Sequence, residues 1–150
     1  MKGFLDERDA AILTALKRDG RASTADIARK TRLPRVTVHD RIKKMRERGV
    51  IRGFTALEDY KKTGLPVTAF VFASYAQGQG VSQRKAALNA SKVEGVCEAH
   101  LVSGEWDLLL KVRGASMEAI GSLVIDRLRA VPGIAKTLTV ACFDTVNEEF

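Results

Sequence analysis

At 150 residues, 45% of them hydrophobic, the chain carries enough apolar matter for a packed core and is not a disordered polymer. No apolar run is long enough to span a bilayer, and the N-terminus MKGFLDERDA lacks the apolar stretch of a signal peptide, so a cytoplasmic protein without a membrane partner is expected. The net charge of +7 is lopsided: residues 1–62 hold 17 Lys and Arg against 9 Asp and Glu, hence +8, whereas residues 63–150 hold 8 against 9, hence −1. A basic front half and a near-neutral back half imply two domains with different partners.

Asp6 is a good N-cap for a first helix, with Asp9 three positions on, where an acid favours the helix N-terminus. Ile12, Leu13 and Leu16 give that helix its apolar face, and Gly20 is placed to end it in the left-handed conformation. Ser23 caps a second helix, Thr24 to about Thr31, with Ala25, Ile27 and Ala28 as its packing side. Arg32-Leu33 is a turn, and Pro34 starts a third helix in its first turn, where a missing N–H costs nothing.

The third helix, PRVTVHDRIKKMRER, is the centre of the front half. Val38, Ile42 and Met45 make one apolar stripe at i, i+4 and i+7. Arg35, Arg41, Lys43, Lys44, Arg46, Arg48 and, when protonated, His39 supply a broad basic remainder. Three short helices, the last two joined by a tight turn, form a helix-turn-helix unit, whose second helix enters the major groove by its N-terminal half. Arg35, Val36, Thr37, His39 and Asp40 fall on that half. Arg35 suits guanine, Val36 and Thr37 suit thymine methyls, and Asp40 suits the cytosine amino group. Arg41, Lys43 and Lys44 lie further along and suit phosphates, and Ser23 joins the contact set from the helix-two cap. Two local alternatives stand beside these roles: Val36 packing on helix two, and Asp40 pairing with Lys43 or Lys44.

Gly49 ends the third helix, and Val50 to Leu57 reads as a short extended segment. The front domain is taken as residues 1–53, residues 54–66 as a linker strand and loop containing KKTGLP, and residues 67–150 as the second domain. VTAFVFASY (67–75) is a strand with Val67, Ala69 and Val71 on one face and Phe70 and Phe72 on the other. QGQG (77–80) is a loop. Ser82 caps a helix to about Lys92, packing through Ala86, Leu88, Ala90 and Val93. Val96–Val102 and Asp107–Arg113 form a hairpin about the turn Ser103-Gly104-Glu105-Trp106. Ser116 caps a helix from Met117 to about Ala130, Pro132-Gly133 stops it, and Ile134–Val146 is the last strand before a loose NEEF end. The order β-α-β-β-α-β is that of a ferredoxin-like sandwich, an α+β fold with both helices on one face of an antiparallel sheet. The apolar side chains of the other face call for a second copy, and a dimer also suits paired recognition helices.

Neither catalysis nor a cofactor is expected: the chain has no phosphate-cradling glycine loop, nucleophile motif or spaced metal-ligand set. Cys97 and Cys142 sit in strand-like sequence and read as buried free thiols. On a strand, Cys97 and His100 point to opposite faces, which argues against a shared metal. The turn offers a small-molecule site instead. Gly104 admits close approach to the main chain, exposed N–H groups receive a carboxylate, and Asp107 accepts from an α-amino group.

Three stretches, LDERDAAILTALKRDGRAS (5–23), DIARKTRLPRVTVHDRIKKMRERGVIRGFTA (26–56) and VSGEWDLLLKVRG (102–114), resemble the leucine-responsive regulatory protein/AsnC (Lrp/AsnC) family of transcription regulators. The resemblance covers almost the whole chain. It implies a DNA-binding domain, a linker strand, and a C-terminal domain that joins dimers into larger rings, such as tetramers or octamers. It also places an amino-acid effector between dimers at the turn 103–107, with help from Thr137 and Thr139 of the last strand. The sequence departs from the family at Pro34, where relatives often carry a capping Ser, and at Trp106, where many carry Tyr. The expected function is sequence-specific transcriptional regulation on double-stranded DNA, tuned by a small effector. The alternative is an architectural DNA binder with little sequence preference.

Overall fold

The structure, a computed structural model, describes residues 5–148. The chain divides into two compact units, Met1–Leu57 and Glu58–Phe150, so the segment 54–66 is shared between them.

The first unit is three helices. α1 (Glu7–Arg18) opens with a reciprocal cap: the Asp6 carboxylate accepts the Asp9 N–H at 2.8 Å, and the Asp9 carboxylate accepts the Asp6 N–H at 3.4 Å. It closes on an extended Asp19 and not on a left-handed Gly20; the Asp19 N–H reaches the Ala15 carbonyl directly. α2 (Thr24–Thr31) is capped by Ser23 and stops at Arg32, a non-glycine residue at φ 56°. α3 (Arg35–Glu47) begins after Pro34, which stands at the cap position with no side-chain bond to the first turn, and Gly49 follows it at φ 72°. Ile12, Ala15, Leu16, Ile27, Val38, Met45 and Ile51 are the buried core, whereas Ala25 is exposed. Each of the larger side chains contributes roughly 2 kcal/mol by leaving water. Residues 52–59 have no regular secondary structure and pair with no strand among the described residues, so the extended segment expected over 50–57 is not seen as a strand.

The second unit is a four-stranded antiparallel sheet in the order β2-β3-β1-β4, from β1 (Val67–Tyr75), β2 (Val96–Leu101), β3 (Leu108–Gly114) and β4 (Ile134–Ala141). α4 (Gln83–Ala90) and α5 (Met117–Ser122) lie in the crossovers, and α5 continues as a π-helical stretch, Leu123–Leu128, closed by the Arg129 N–H on the Val124 carbonyl. Ala69, Val71, Ala73, Leu108, Leu110 and Val112 form one buried core with Ala90, Ile120, Leu123, Val124 and Leu128 of the helices. The α+β sandwich is therefore the one read from the sequence.

The register assigns the opposite, helix-free face. Phe70 lies across from Lys111 and Val140, Phe72 from Leu109 and Leu138, and Thr68 from Arg113. Glu98 and His100 of β2 continue it past Lys111 and Leu109. The face is apolar towards the β2–β3 turn and charged towards the other end. Several expectations shift. Leu88 points to solvent. β4 ends at Ala141, five residues short of Val146, because β1 offers no partner beyond Ala69 except the Thr68 carbonyl, which takes the Cys142 N–H. Cys97 is exposed on edge strand β2 and Cys142 is half-buried; both are free thiols, not core residues. The end is held at Glu148, which is ion-paired and not loose; Glu149 and Phe150 lie outside the described residues.

Candidate DNA interface and effector turn

Amphipathic spacing turns α3 so that Val38 and Met45 are buried while its polar arc stays in solvent. Arg35, His39, Asp40, Lys43 and Lys44 are exposed, and Thr37 is half-buried at the edge of the arc. Val36 is 71% exposed, which rules out its packing on α2. The Arg35 Nε donates to Thr24 Oγ1 at 3.3 Å, so α2 steadies the first basic side chain of α3. Among the described residues Asp40 has no ion-pair partner; Lys43 instead lies 3.9 Å from Glu47. Pro34 leaves the first-turn N–H groups of α3 without a side-chain cap.

Two residues of the expected DNA set are engaged in local structure. The Ser23 hydroxyl accepts the Asp26 N–H at 3.1 Å and donates to the Asp26 carboxylate at 2.6 Å, which holds that carboxyl below its usual range. Arg41 turns away from the solvent arc, its side chain 23% exposed, and donates to Asp9 at 2.8 Å and Asp6 at 2.7 Å. These bonds hold the guanidinium above its ordinary value. The Asp6 carboxyl is lowered, first by the Asp9 N–H and then by Arg41. Arg41 thus ties the middle of α3 to the N-terminus of α1. Both bonds come from Nη1, so the brace to α1 is a role for Arg41 beside the phosphate contact expected of it.

The folded unit also brings in residues left out of the expected contact set. A cleft of about 540 Å³ beside α3 is lined by Thr24, His39, Lys43, Arg46 and Arg52, among others. Arg46 follows His39 and Lys43 at i+7 and i+3 and was legible from helical spacing. Arg52 lies beyond the helix, where no periodicity reports its direction.

The β2–β3 turn is held from beneath. The Asp107 carboxylate accepts the Tyr75 N–H at 2.7 Å and the Gln83 side-chain amide at 2.8 Å, while the Asp107 N–H donates to the Ala73 carbonyl at 3.1 Å. Ser103, Gly104 and Glu105 are exposed at the tip. Gly104 has φ 126°, and a Cβ there would meet open space, so the constraint is the backbone conformation alone. Trp106 leans onto Phe72 on the helix-free face, with ring centroids 6.2 Å apart. Thr137 and Thr139 stand across from Ala73 and Val71 on the helix side of the edge strand, and the Thr137 hydroxyl accepts from Arg129 Nε at 2.9 Å. Ala73 thus stands between Asp107 of the turn and Thr137 of β4 in the sheet.

The family model described as the Lrp/AsnC ligand binding domain matches residues 68–150, more than half of the chain. The chain belongs to the Lrp/AsnC family. A winged helix-turn-helix DNA-binding model matches residues 5–52 of the same Lrp/AsnC protein. It is 45% identical to an uncharacterized HTH-type transcriptional regulator of Pyrococcus horikoshii, over 99% of both chains. It is 32% identical to the leucine-responsive regulatory protein of Salmonella typhimurium, over 96% of this chain and 88% of that one. A feast or famine regulatory protein from M. tuberculosis, solved with L-methionine, superposes with a TM-score of 0.88 at 26% identity, over 97% and 96% of the two chains. This Lrp/AsnC chain is a DNA-binding transcriptional regulator. Among its described residues no helix is long and apolar enough to cross a membrane, and no group of three His, Cys, Asp or Glu side chains is placed to hold a metal ion.

Proposed function

We propose that this regulator reads specific DNA sequences through the N-terminal half of α3 and changes that binding in response to a free amino acid. The observation that carries the DNA reading is the solvent arc of α3, where an exposed Val36 sits among Arg35, Thr37, His39 and Asp40, with Lys43 and Lys44 behind them. Charges alone would serve any DNA; an apolar side chain presented with them suits a base edge bearing a methyl group. Arg41 acts here as a positioning residue, because it sets the orientation of α3. Affinity for one selected operator and for random DNA, compared at one salt concentration, tests this reading. A gap of ~10³ or more is expected, and a gap below ~10-fold would favour the architectural alternative.

The effector reading is built on the turn. The exposed tip Ser103-Gly104-Glu105 offers main-chain N–H groups to a carboxylate, and Trp106 bounds the site. Asp107 holds the turn in shape, since both of its oxygens already accept. A second copy supplies the other wall of the site. Self-association suits the apolar part of the helix-free face, where Phe70, Phe72, Leu109, Leu138 and Val140 lie together. The relative solved with L-methionine supports an amino acid as the class of effector. Calorimetric titration with the twenty amino acids is the check, and silence across the set would remove the amino acid while leaving the DNA reading intact. Residues 54–66 are proposed as the linker between the two functions.

A further inference from the structure

The charged end of the helix-free face contains two cations that are almost completely buried. The Lys111 side chain is 10% exposed and that of Arg113 is 4% exposed. Cations are seldom so deeply placed without full compensation. Glu98 approaches Lys111 at 3.3 Å and is shared with His100 at 3.2 Å; those two contacts, His100 first, hold the Glu98 carboxyl below its usual range. The Tyr60 ring lies 3.3 Å under the Arg113 guanidinium. Glu98 alone leaves one positive charge unmatched. The missing negative charge comes from the C-terminal tail: Glu148 accepts from Arg113 Nη2 with both carboxylate oxygens, at 2.7 and 2.8 Å, and pairs with Lys111 as well. Arg113 Nε is still buried with no hydrogen-bond partner. A guanidinium held on one nitrogen, with a second donor unused, is incompletely satisfied.

The tail is held by little else. Phe143 and Val146 are fully or almost fully exposed, so residues 143–148 bury no large apolar side chain. A cleft of about 510 Å³, lined by Tyr60, Lys61, Thr68, Arg113, Thr145 and Glu148 among others, separates the tail from the loop before β1. We propose that Lys111 and Arg113, floored by Tyr60, form a binding site for a small carboxylate, and that Glu148 is its tethered occupant. The recognising chemistry is a paired ammonium and guanidinium on adjacent same-face positions of a rigid strand. A free carboxylate that engages the unused Nε as well as Nη2 gains the fork-to-fork geometry which the tail does not reach. It competes with an effective tail concentration on the order of millimolar, set by the short tether. This site is on the opposite end of the sheet from the β2–β3 turn, and it does not rest on that turn binding anything.

The experiment is calorimetric titration of the full chain with glutarate, a probe carrying the carboxylate and spacer of a glutamate side chain, at fixed ionic strength. Wild type and Glu148→Ala are compared, with melting temperatures taken in parallel. Glu148→Ala is expected to bind glutarate at least ~10-fold more tightly than wild type, and Lys111→Met in the Glu148→Ala background is expected to lose that binding. The tail substitution removes no buried apolar side chain, and the melting temperatures report whether Glu148→Ala is folded, so the first comparison decides even where the Lys111 variant fails to fold. Equal affinity in wild type and Glu148→Ala, or no binding to Glu148→Ala, overturns the proposal. Because the titration contains neither DNA nor an amino acid, its failure leaves the effector turn untouched.

Discussion

Each unit of the molecule sets a charge cluster at least partly out of solvent, and the two are built in opposite ways. In the first unit a single Arg41 of α3 serves two acids, Asp9 of α1 and Asp6 at its cap, and the two helices share one core. In the second, two cations on a central strand, Lys111 and Arg113, are served by an acid on a terminal tail. The first cluster is a brace, since neither partner can leave without disturbing a helix. The second has one fixed side and one side that can depart. Net charge would not have separated them. What separates them is how much buried apolar surface moves when a partner moves.

The sharpest way to break the comparison is to remove the brace. Arg41→Ala strands the largely buried Asp9 carboxylate and is expected to destabilise the first unit by about 2 kcal/mol. DNA affinity is expected to fall through loss of α3 orientation, yet the salt dependence of what remains should keep its slope. A slope reduced by ~1, with unfolding unchanged, would make Arg41 a phosphate contact and not a brace. Next in size is Thr37→Ala, which should cost ~1–3 kcal/mol against the best operator and relax one base position. Uniform loss over all operator variants would show that Thr37 reads no base. Lys44→Ala is smaller, weakening every sequence alike and reducing the salt slope by ~1.

The smallest effect concerns acid. Asp6 has a folded-state pKa below its reference value of 3.8, so the stability it contributes is complete above that value and is lost as the pH falls through the lower, folded value. Asp6→Asn should therefore flatten the acid limb of thermal stability below about pH 4 and leave the neutral region's slope unchanged. An acid limb identical to wild type would remove Asp6 from the linkage.

What was legible in the sequence was mostly local. The caps Asp6, Ser23, Ser82 and Ser116 each find the backbone N–H three residues on, because a cap and its partner share one turn. The alternation of Val67, Ala69 and Val71 with Phe70 and Phe72 gave both faces of β1 before any register was known. The clusters were not legible, because Arg41 meets acids 32 and 35 positions away and Arg113 meets an acid 35 positions away. Nothing in spacing reports such a meeting. The end of β4 was missed for a related reason: the alternating sequence runs on to Val146, but a strand stops where its neighbour runs out of partners, and β1 begins at Val67. The acidity of Asp107 was visible in the sequence, and its two donors, Tyr75 and Gln83, were not.

Val36 presents an isopropyl group to water at the leading edge of α3. Such a group recognises a methyl at the C5 position of a pyrimidine, and it does so by contact, without regard to what hydrogen-bonds elsewhere on the ring. Thymine carries that methyl in every genome, but so does cytosine once a methyltransferase has acted on it. On the proposed reading, the operator position facing Val36 is therefore sensitive to epigenetic marking: a cytosine that is rejected bare becomes acceptable when methylated, and a regulator assembled for one signal acquires a second, written on the DNA itself.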